Sequence, residues 1–372
     1  MNNALVAGGG ITGLATAIVL ARQGIEVDLV ERQTQVRAIG SGITMIGAGV
    51  RALDRLGLYQ ECAASGYSVN DVEFYEVDGT LASRQRLPSA AGTDRPGMLG
   101  MMRPVLHGIL LDHAAREGVG VRTGTSPARV EHRPGGASVT FSTGERRDYD
   151  LVVGADGLRS TVRDLIMDPM RPAYQGLKAF RVVLPRLPDV TAHRNFRTCA
   201  NVNVGIMPIA RDRMYMYGVF LDGEDYRPSP GELVSLIRAK IEPFGGIVPT
   251  IREAIREPDQ VNITRFETVL APDPWYRGRV IVIGDAAHCP SPQLAAGAAM
   301  GLEDAVALGE ELADAPTIEQ ALRAFCDRRF DRCRYVVETT DRISYLQTHP
   351  GTSTEDLLEI VTQGYARLAG PF

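Results

Sequence analysis

Residues 4–13 of the chain read ALVAGGGITG, and residues 27–32 read VDLVER. The order is a short apolar strand, a glycine turn, a helix of small residues and a second apolar strand that ends at Glu31. Glu31 lies 18 residues after Gly13, the last glycine of a G-x-G-x-x-G pattern. An acid at this position can accept hydrogen bonds from a ribose diol. The segment therefore predicts a Rossmann-type unit that binds a dinucleotide.

Each glycine of this pattern has its own physical task. Gly8 permits the sharp turn after the strand, Gly10 lets the backbone approach a pyrophosphate, and Gly13 lets the helix pack closely on the strand. Ile11 and Thr12 begin the helix, where backbone N–H groups without partners can bind the anion. We expect these five residues to hold the phosphate part of the nucleotide.

Residues 1–21 contain no charged side chain, and a run of that length can span a bilayer. Four glycines and two asparagines interrupt the run, however. It has neither the basic start nor the small-residue cleavage site of a signal peptide. We expect a buried strand and helix, no membrane segment and a cytoplasmic location.

The composition is that of an ordinary α/β enzyme, with 44% hydrophobic and 23% charged residues. A chain of 372 residues is long enough for two domains. The net charge of −5 gives no electrostatic reason to expect binding to nucleic acid or to an anionic membrane. The five cysteines are scattered and form no C-x-x-C pair, so we predict neither a metal site nor a disulfide framework.

Two later segments also have the pattern of buried parallel strands, DLVVGADG at 150–157 and RVIVIGD at 279–285. The region between them differs, with antiparallel strands predicted at 180–184, 201–206 and 213–220 and a helix at 230–241. We predict an α/β fold in which an antiparallel-sheet, substrate-binding domain is inserted into a Rossmann-type domain and C-terminal helices follow. The nucleotide-binding domain comprises residues 1–68, 98–173 and 267–330, the inserted domain residues 69–97 and 174–266, and the C-terminal helices residues 331–372.

Three separated motifs identify the nucleotide. GADGLRS at 154–160 and GDAAH at 284–288, the latter followed by Pro292 and Gly297, lie far downstream of the first glycine turn. In this order and spacing, the three motifs resemble those of the class A flavoprotein monooxygenases, the FAD-dependent aromatic hydroxylases similar to p-hydroxybenzoate and salicylate hydroxylases. The resemblance covers residue 3 to about residue 330. It implies a tightly but non-covalently bound FAD, with NADH or NADPH as a transient reductant.

The resemblance also implies roles for particular residues. Asp285 would accept a hydrogen bond from a ribityl hydroxyl, and the helix that starts near Gly297 and Ala298 would face the flavin N1/C2 edge. Asp156 would touch the pyrophosphate side, although an Asp-Gly pair also simply caps turns. The remaining cofactor contacts implied are Arg103 at the ribityl-phosphate part and Arg32 near the adenine.

The supporting positions have alternative interpretations. Arg159 and Arg163 would support the 154–160 turn, either as coenzyme ligands or as structural ion-pair partners. His288 is a candidate general base, but the resemblance implies a structural role for its position. Arg37 is a candidate for the mobile-flavin arginine of some members.

The chain departs from the family in one flavin-binding segment. Members commonly carry Gly-Gln-Gly-x-Asn where residues 295–299 read AAGAA. This substitution removes two side chains that could contact the flavin and leaves the backbone N–H groups. A single tryptophan, Trp275, excludes the W-x-W-x-I signature of the halogenase branch.

The inserted sheet is expected to hold the substrate. Residues 214–217 read MYMY, so Tyr215 and Tyr217 share one face of a strand. We predict that these tyrosines bind substrate and that Tyr217, or else Tyr215, is the catalytic base; the alternative is an ordinary core or surface face. Arg181 would pair with a substrate carboxylate or lie exposed, and Pro292 would shape the loop over the flavin ring beside the substrate. His193 lies in a polar segment and is expected to be exposed.

The function implied is hydroxylation of a small aromatic or heteroaromatic molecule. NAD(P)H would reduce FAD, O₂ would add at flavin C4a, and the hydroperoxide would deliver one oxygen atom to the ring. A flavin-dependent reductase or oxidase without oxygen insertion is the alternative, and a non-enzymatic module similar to the Rab GDP-dissociation inhibitors is a remote one. We expect a monomer or homodimer.

Overall fold

A computed structural model describes residues 1–36, 40–199, 201–223, 228–349 and 354–372. Arg37, the candidate mobile-flavin arginine, lies outside the described residues. The chain combines a mainly parallel sheet with a larger, mainly antiparallel sheet and ends in helices. The predicted α/β fold class, with a Rossmann-like region and antiparallel sheets, is therefore confirmed.

The α-helices of the described residues are α1 (Ile11–Arg22), α2 (Gly47–Arg55), α3 (Tyr59–Ser65), α4 (Arg103–Arg116), α5 (Thr161–Ile166), α6 (Pro230–Ile241), α7 (Val248–Ala254), α8 (Gly297–Asp314), α9 (Ile318–Thr348) and α10 (Thr354–Ala369). Short 3₁₀ turns lie at Pro258–Gln260, Gly284–Ala286 and Pro292–Leu294.

The strands of the described residues are β1 (Asn3–Ala7), β2 (Glu26–Glu31), β3 (Gly42–Ile46), β4 (Tyr67–Val69), β5 (Asp71–Tyr75), β6 (Leu81–Arg86), β7 (Met98–Met102), β8 (Gly120–Thr123), β9 (Pro127–Arg133), β10 (Gly136–Phe141), β11 (Arg146–Tyr149), β12 (Leu151–Gly154), β13 (Ala173–Pro185), β14 (His193–Cys199), β15 (Val202–Pro208), β16 (Arg213–Leu221), β17 (Val261–Leu270), β18 (Tyr276–Arg277), β19 (Val280–Val282) and β20 (His288–Cys289).

The first sheet has the strand order β18-β19-β12-β1-β2-β8, and all its pairs are parallel except β18–β19. The chain runs from β1 to β2 on one side of β1 and returns as β12 on the other. Ligands of open α/β sheets bind in the crevice at such a switch point, beyond the carboxyl ends of the strands. The three sequence motifs follow β1, β12 and β19, so this topology places all three side by side.

The eight-stranded sheet has the order β20-β17-β13-β16-β15-β14-β5-β6. One face forms a separate core with α6 and α7, in which Phe180, Met216 and Phe220 are fully buried. The opposite face meets the nucleotide-binding body, since Met207 and Tyr215 belong to the main core. Strand β20 directly follows the GDA turn and pairs with β17. The third motif is therefore continuous with the larger sheet.

The C-terminal helices join the two parts. Helix α8 packs on α1 and α2, and α9 contacts β13, β17 and β20 as well as α8. Helix α10 packs on α9, α2 and the Pro292–Leu294 turn. In the described part of the chain, no helix is both long enough and apolar enough to cross a bilayer.

Several element predictions are confirmed, and several elements were not predicted. Helix α6 has the predicted bounds, because Ser229 and Glu232 form a capping box at its start. The strands that were not predicted include β3, β7, β14 and β17. His193, expected to be exposed, is instead buried at the start of β14, since polar residues on this strand face the protein interior. The proposed domain boundaries remain an interpretation.

Candidate functional site

The first glycine turn has open space beside Gly10, where an anion could lie, and no space for a side chain at Gly8 or Gly13. Gly8 has φ +112°, and a Cβ there would lie 2.3 Å from the carbonyl oxygen of Ala155. A Cβ at Gly13 would lie 1.9 Å from the Gly8 carbonyl oxygen, whereas one at Gly10 would meet no atom within 4 Å. Among the residues that the structure describes, no side chain caps α1. Its first N–H groups are therefore available beside an open glycine, which fits a pyrophosphate.

Ile11 and Thr12 contribute to this turn through their backbone, because their side chains pack inward. Ile11 is buried. The Thr12 hydroxyl oxygen would lie 2.8 Å from a Cβ at Gly284 and 2.1 Å from one at Gly301. Thr12 thus packs against the third motif and α8, and glycines are required on both.

Glu31 and His107 of α4 contact the glycine turn. The Glu31 carboxylate accepts hydrogen bonds from Gly9 N at 2.9 Å and from Gln33 N at 2.9 Å. His107 is buried, and its Nε2 lies 2.7 Å from the Gly9 carbonyl oxygen. Arg103 lies one turn earlier on the same helix with an exposed side chain. The sequence reasoning missed His107, although its i, i+4 spacing from Arg103 was a signal.

The next residue along, Arg32, lies exposed in the bend after β2. Its predicted place near the adenine remains a prediction.

Asp156 is used as a helix cap. Its carboxylate accepts hydrogen bonds from the Ser160 hydroxyl, from Thr161 N at 2.7 Å and from Val162 N at 3.1 Å. Its Cα lies against Gly8, where an added Cβ would approach to 2.9 Å. Any contact with the cofactor is therefore expected from the backbone at Asp156, and that contact remains a prediction.

The two arginines of the second motif have structural partners. Arg163 is buried and donates to the carbonyl oxygens of Leu158 at 3.1 Å and Ala286 at 2.9 Å. It therefore links the second motif to the third. Arg159 forms an exposed ion pair with Glu267 at 3.0 Å.

Asp285 lies in the Gly284–Ala286 turn that follows β19. Its side chain is exposed to solvent, but the surrounding protein reduces its hydration and raises the pKa of Asp285, and the charges of His288 and Arg103 partly offset this effect. A Cβ at Gly297 would lie 3.8 Å from its Oδ1. The carboxylate thus faces the N-terminus of α8, which no side chain caps. An accepting carboxylate beside free N–H groups fits the ribityl chain and flavin edge of FAD.

The neighbouring positions differ in exposure. Ala298 is half-buried in the first turn of α8, and Pro292 is exposed at the start of its 3₁₀ turn. Ala295 has φ +50°, the left-handed region, at a position where family members commonly carry glycine. The roles predicted for Gly297, Ala298 and Pro292 remain predictions.

A buried charge cluster holds the third motif. Asp304 accepts hydrogen bonds from Gly284 N at 2.8 Å, His288 Nε2 at 2.6 Å and Arg329 Nε at 2.7 Å. Burial opposes ionisation of Asp304, but His288 and Arg329 outweigh it and hold the pKa of Asp304 below its usual range. The same carboxylate raises the pKa of His288 against the effect of burial. His288 therefore acts as a buried cation that fixes the turn.

This cluster also contains an arrangement that resembles a metal site. His288, Asp304 and Cys333 have ligand atoms within 4.8 Å of one another. Arg329 already neutralises Asp304, so the charge of a metal ion would be repelled. We interpret the group as an ion-pair cluster.

Both tyrosines of β16 face the nucleotide-binding body. The Tyr215 ring packs on Gly42, where a Cβ would lie 2.3 Å from its Cδ1, and its hydroxyl lies 2.7 Å from Thr44 Oγ1. The Tyr217 hydroxyl donates to Asn195 Oδ1 at 3.0 Å and lies 2.9 Å from His193 Nε2. With its proton directed at Asn195, this hydroxyl accepts from a His193 Nε2–H. Both tyrosines thus face the cleft side of the sheet.

The protonation states of this face limit its chemistry. Burial raises the pKa of Tyr217 well above its usual value, and Tyr215 and Tyr365 add to the effect. Burial lowers the pKa of His193 to about 4. Both groups are neutral at pH 7, and a tyrosine held in its protonated form is a poor general base. The predicted base role of Tyr217 is therefore not favoured by its surroundings.

Arg181 supplies positive charge to the same face. It lies directly opposite Tyr217 in the β13–β16 ladder and donates to Thr264 Oγ1 at 2.7 Å. Burial lowers the pKa of Arg181, Tyr215 raises it, and Arg103 lowers it further. A guanidinium stays charged even so. Among the residues that the structure describes, no carboxylate pairs with Arg181.

The glycine turn, the Asp285 turn and the eight-stranded sheet agree with one known family. The model of a family described as "FAD binding domain" matches residues 1–340. The chain belongs to this family of FAD-dependent monooxygenases. The class A resemblance and the FAD cofactor inferred from the three motifs are confirmed.

Relatives of this monooxygenase carry consistent names. The putative FAD-dependent monooxygenase YetM of Bacillus subtilis is 30% identical over 99% of both chains. A 2-heptyl-3-hydroxy-4(1H)-quinolone synthase of Pseudomonas aeruginosa is 32% identical over 89% of this chain and 86% of its own. Klebsiella pneumoniae HpxO, solved with FAD and uric acid, has a TM-score of 0.87 at 22% identity and covers 100% of this chain and 97% of its own. The last of these shows the shared fold.

Proposed function

We propose that this monooxygenase uses NAD(P)H and O₂ to hydroxylate a small aromatic or heteroaromatic molecule that carries an anionic group. The observation that supports the anionic group is Arg181, a half-buried cation on the cleft side of the sheet with no carboxylate partner in the described ranges. An unpaired charge in such surroundings is costly unless a ligand neutralises it. The proposal also includes a cytoplasmic location and a monomer or homodimer.

The overall reaction consumes one aromatic substrate, one O₂, one NAD(P)H and one proton. It yields the hydroxylated product, NAD(P)⁺ and water. Bound FAD supplies the electron transfer from NAD(P)H and the activation of O₂. The chain binds FAD through the N-terminus of α1 and Glu31 at one end and through Asp285 and the N-terminus of α8 at the other.

The substrate-side residues orient the ring. Arg181 binds the anionic group with a charge-assisted hydrogen bond. The Tyr217 hydroxyl donates to Asn195 and accepts from His193, so one lone pair remains to accept a hydrogen bond from a substrate hydroxyl or ring N–H. The hydrogen bond with Thr44 fixes the position of the Tyr215 ring, which would border the substrate. These contacts present one edge of the substrate to the flavin.

The names of the relatives favour nitrogen heteroaromatic substrates. One is a quinolone synthase and another, from Mycolicibacterium vanbaalenii, is an FAD-dependent urate hydroxylase that is 28% identical over 90% of this chain. Quinolones and urate both contain a ring N–H and a carbonyl group. The free lone pair of Tyr217 suits such a donor.

The direct experiment is a screen of aromatic acids, phenols and nitrogen heteroaromatics for accelerated NAD(P)H oxidation, with products identified by mass. We expect an oxygenated product in proportion to NAD(P)H consumed. Stoichiometric hydrogen peroxide with every compound would instead support an oxidase on this fold.

The role of Arg181 is tested with Arg181→Gln. Loss of one charge-assisted hydrogen bond should lower kcat/KM for an anionic substrate by about 10- to 100-fold, with the FAD content retained. Arg197→Gln is the matched control, because Arg197 lies on the same sheet but its side chain is 59% exposed. Equal kinetics for the two variants would remove Arg181 from the binding site.

A further inference from the structure

The ion pairs of Asp304 are part of a larger buried network on α8. We name this network the Glu303 cluster, and each of its side chains is at most 9% exposed: Arg51, His288, Glu303, Asp304, Arg329 and Arg332. The residues come from α2, β20, α8 and α9. The cluster therefore forms only when these elements are packed together.

Glu303 is the centre of the network. Its carboxylate pairs with Arg332 at 2.8 Å, with Arg329 at 2.9 Å and with Arg51 at 3.3 Å. Arg329 also pairs with Asp304 at 2.7 Å. Two carboxylates thus share three guanidinium groups.

The positive charges of the Glu303 cluster outnumber the negative ones. A guanidinium group stays ionised even when it is buried, and His288 is a cation because Asp304 raises its pKa. Three arginines and one protonated histidine therefore face two carboxylates, which leaves a net charge of +2. Without the histidine, the net charge of the ion pairs is still +1. Asp285, whose side chain is exposed, is not counted as part of the cluster.

Neutral carbonyl groups hold part of the surplus charge. Arg51 donates to the carbonyl oxygens of Ala369 at 3.0 Å and Gly370 at 2.8 Å. Arg332 donates to the carbonyl oxygen of Leu368 at 2.9 Å. A carbonyl dipole stabilises a cation but carries no net charge, and a buried charge is only weakly screened by salt. The field of the surplus charge therefore extends beyond the cluster.

The Glu303 cluster lies near the N-terminus of α8. Glu303 is six residues after Gly297, the first residue of the helix, which corresponds to about 9 Å along the axis. Arg329 reaches closer to that end, because it donates to the carbonyl oxygen of Met300 in the first turn at 3.3 Å. The surplus charge thus adds to the positive end of the helix dipole, the end proposed to face the flavin.

We propose that the Glu303 cluster raises the reduction potential of the bound FAD. Reduction by NAD(P)H transfers two electrons and one proton as a hydride, so NAD(P)⁺ is released and the flavin ring system gains one negative charge. A net positive charge about 9 Å away stabilises this reduced form relative to the neutral oxidised form. The cluster acts through its charge and takes no part in the bond changes. This inference rests on the proposed function, because it uses the same placement of the flavin edge at α8.

The test changes the charge of the cluster in both directions. Arg51→Gln removes one positive charge and leaves Glu303 with two arginine partners, whereas Glu303→Gln removes one negative charge. At about 10 Å and an effective dielectric constant of about 20, one unit charge should change the preference for reduced over oxidised FAD by about 10-fold. This ratio corresponds to about 30 mV for a two-electron couple. The midpoint potential should therefore fall by about 30 mV in Arg51→Gln and rise by about 30 mV in Glu303→Gln.

Arg55→Gln is the matched control for Arg51→Gln. Arg55 lies one turn later on α2, but its side chain is 42% exposed and pairs with Glu310 at the surface. Water and salt screen an exposed charge. The midpoint potential of this variant should therefore stay near that of the wild type.

The potentials are measured by reducing each holoenzyme with dithionite beside a redox dye, without substrate and without NAD(P)H. Opposite shifts in the two cluster variants support the proposal, because a loss of packing would move both potentials in the same direction. Shifts of the same sign, an unchanged potential in Arg51→Gln, or an equal shift in Arg55→Gln overturn it. If one cluster variant fails to fold, the other variant is compared with Arg55→Gln and decides alone.

A second measurement separates this inference from the proposed function. Asp285→Ala should lower the FAD content of the purified protein, because it removes the acceptor at the proposed flavin site. An unchanged FAD content would contradict that placement of FAD and overturn the inference with it. A lower FAD content together with equal potentials in the cluster variants would overturn the inference alone. The substrate screen does not enter these measurements, so its failure would affect only the proposed hydroxylation.

Discussion

The glycine turn at residues 8–13 and the tyrosine face at residues 215–217 belong to the two halves of the proposed site and are built from contacts of different range. Gly9 is bonded to Glu31, 22 residues away, within one strand–helix–strand unit. Tyr215 is bonded to Thr44, 171 residues away, and Arg181 to Thr264, 83 residues away. The nucleotide half of the site is therefore local, whereas the substrate half exists only when separate sheets are packed together.

This difference explains why one half has a sequence signature and the other does not. A local unit constrains the spacing of its own residues, as the Cβ position at Gly13 against the Gly8 carbonyl oxygen shows. Residues that meet through tertiary packing can come from any strand with the right register. The buried cluster around Asp304 connects the two halves, and variants in each region measure how separate they are.

The largest effect is expected for Asp304→Asn. It leaves His288 without its buried carboxylate and Arg329 with Glu303 alone, which should cost about 3–5 kcal/mol in the free energy of unfolding and lower the FAD content. Urea denaturation and flavin absorbance measure both. Glu310→Gln is the control on the same helix, because its exposed ion pairs should contribute only about 0–1 kcal/mol. Equal losses for the two variants would show that the cluster is no more important than a surface pair.

The next effect is expected at the glycine turn, where two alanine variants should behave differently. Gly10→Ala has open space around the new Cβ, so the apoprotein should fold normally while FAD binding weakens by about 10- to 100-fold, or about 1.4–3 kcal/mol. Gly13→Ala should also destabilise the apoprotein, since its Cβ meets a backbone oxygen. Gly108→Ala, in open space on α4, is the control. Normal FAD binding by Gly10→Ala would contradict the pyrophosphate assignment.

A smaller effect is expected from His193 in the tyrosine face. Its pKa is lowered from 6.5 to about 4 on folding, so the unfolded chain binds more protons between these values. Stability should therefore be lost as the pH falls below about 6.5, by about 2 kcal/mol at pH 5. Melting temperatures from pH 7 to 5 should fall less steeply for His193→Gln than for the wild type. Parallel curves would mean that His193 does not titrate as a buried neutral group.

The smallest effect is expected for Ala295→Gly, in the segment where the chain departs from its family. A non-glycine residue in the left-handed region destabilises the folded protein by about 1–2 kcal/mol. Glycine removes this cost, but its greater conformational entropy in the unfolded state offsets about 0.4–1 kcal/mol of the gain. The variant should thus be more stable by up to about 1 kcal/mol, with unchanged kinetics. A lower melting temperature would show that Ala295 is held by packing that glycine lacks.

The sequence contains the three motifs from which FAD and the family were predicted. The alternation of side chains along a strand also predicted that Tyr215 and Tyr217 share one face. It failed at His193, which lies on a strand whose polar residues face the interior. It also missed His107 and Asp304, since nothing local distinguishes a histidine or aspartate that supports a backbone turn from one on the surface.

What the sequence alone determined is the nucleotide-binding unit, because the close packing of Gly13 on Gly8 and the bond from Gly9 to Glu31 act within about thirty residues. Only the tertiary structure decided which side chains meet across the cleft. Arg181 and Tyr217 come from two strands of one sheet and lie opposite each other because of the strand register. Register and helix docking minimise the free energy of the whole chain, so no single segment contains that information.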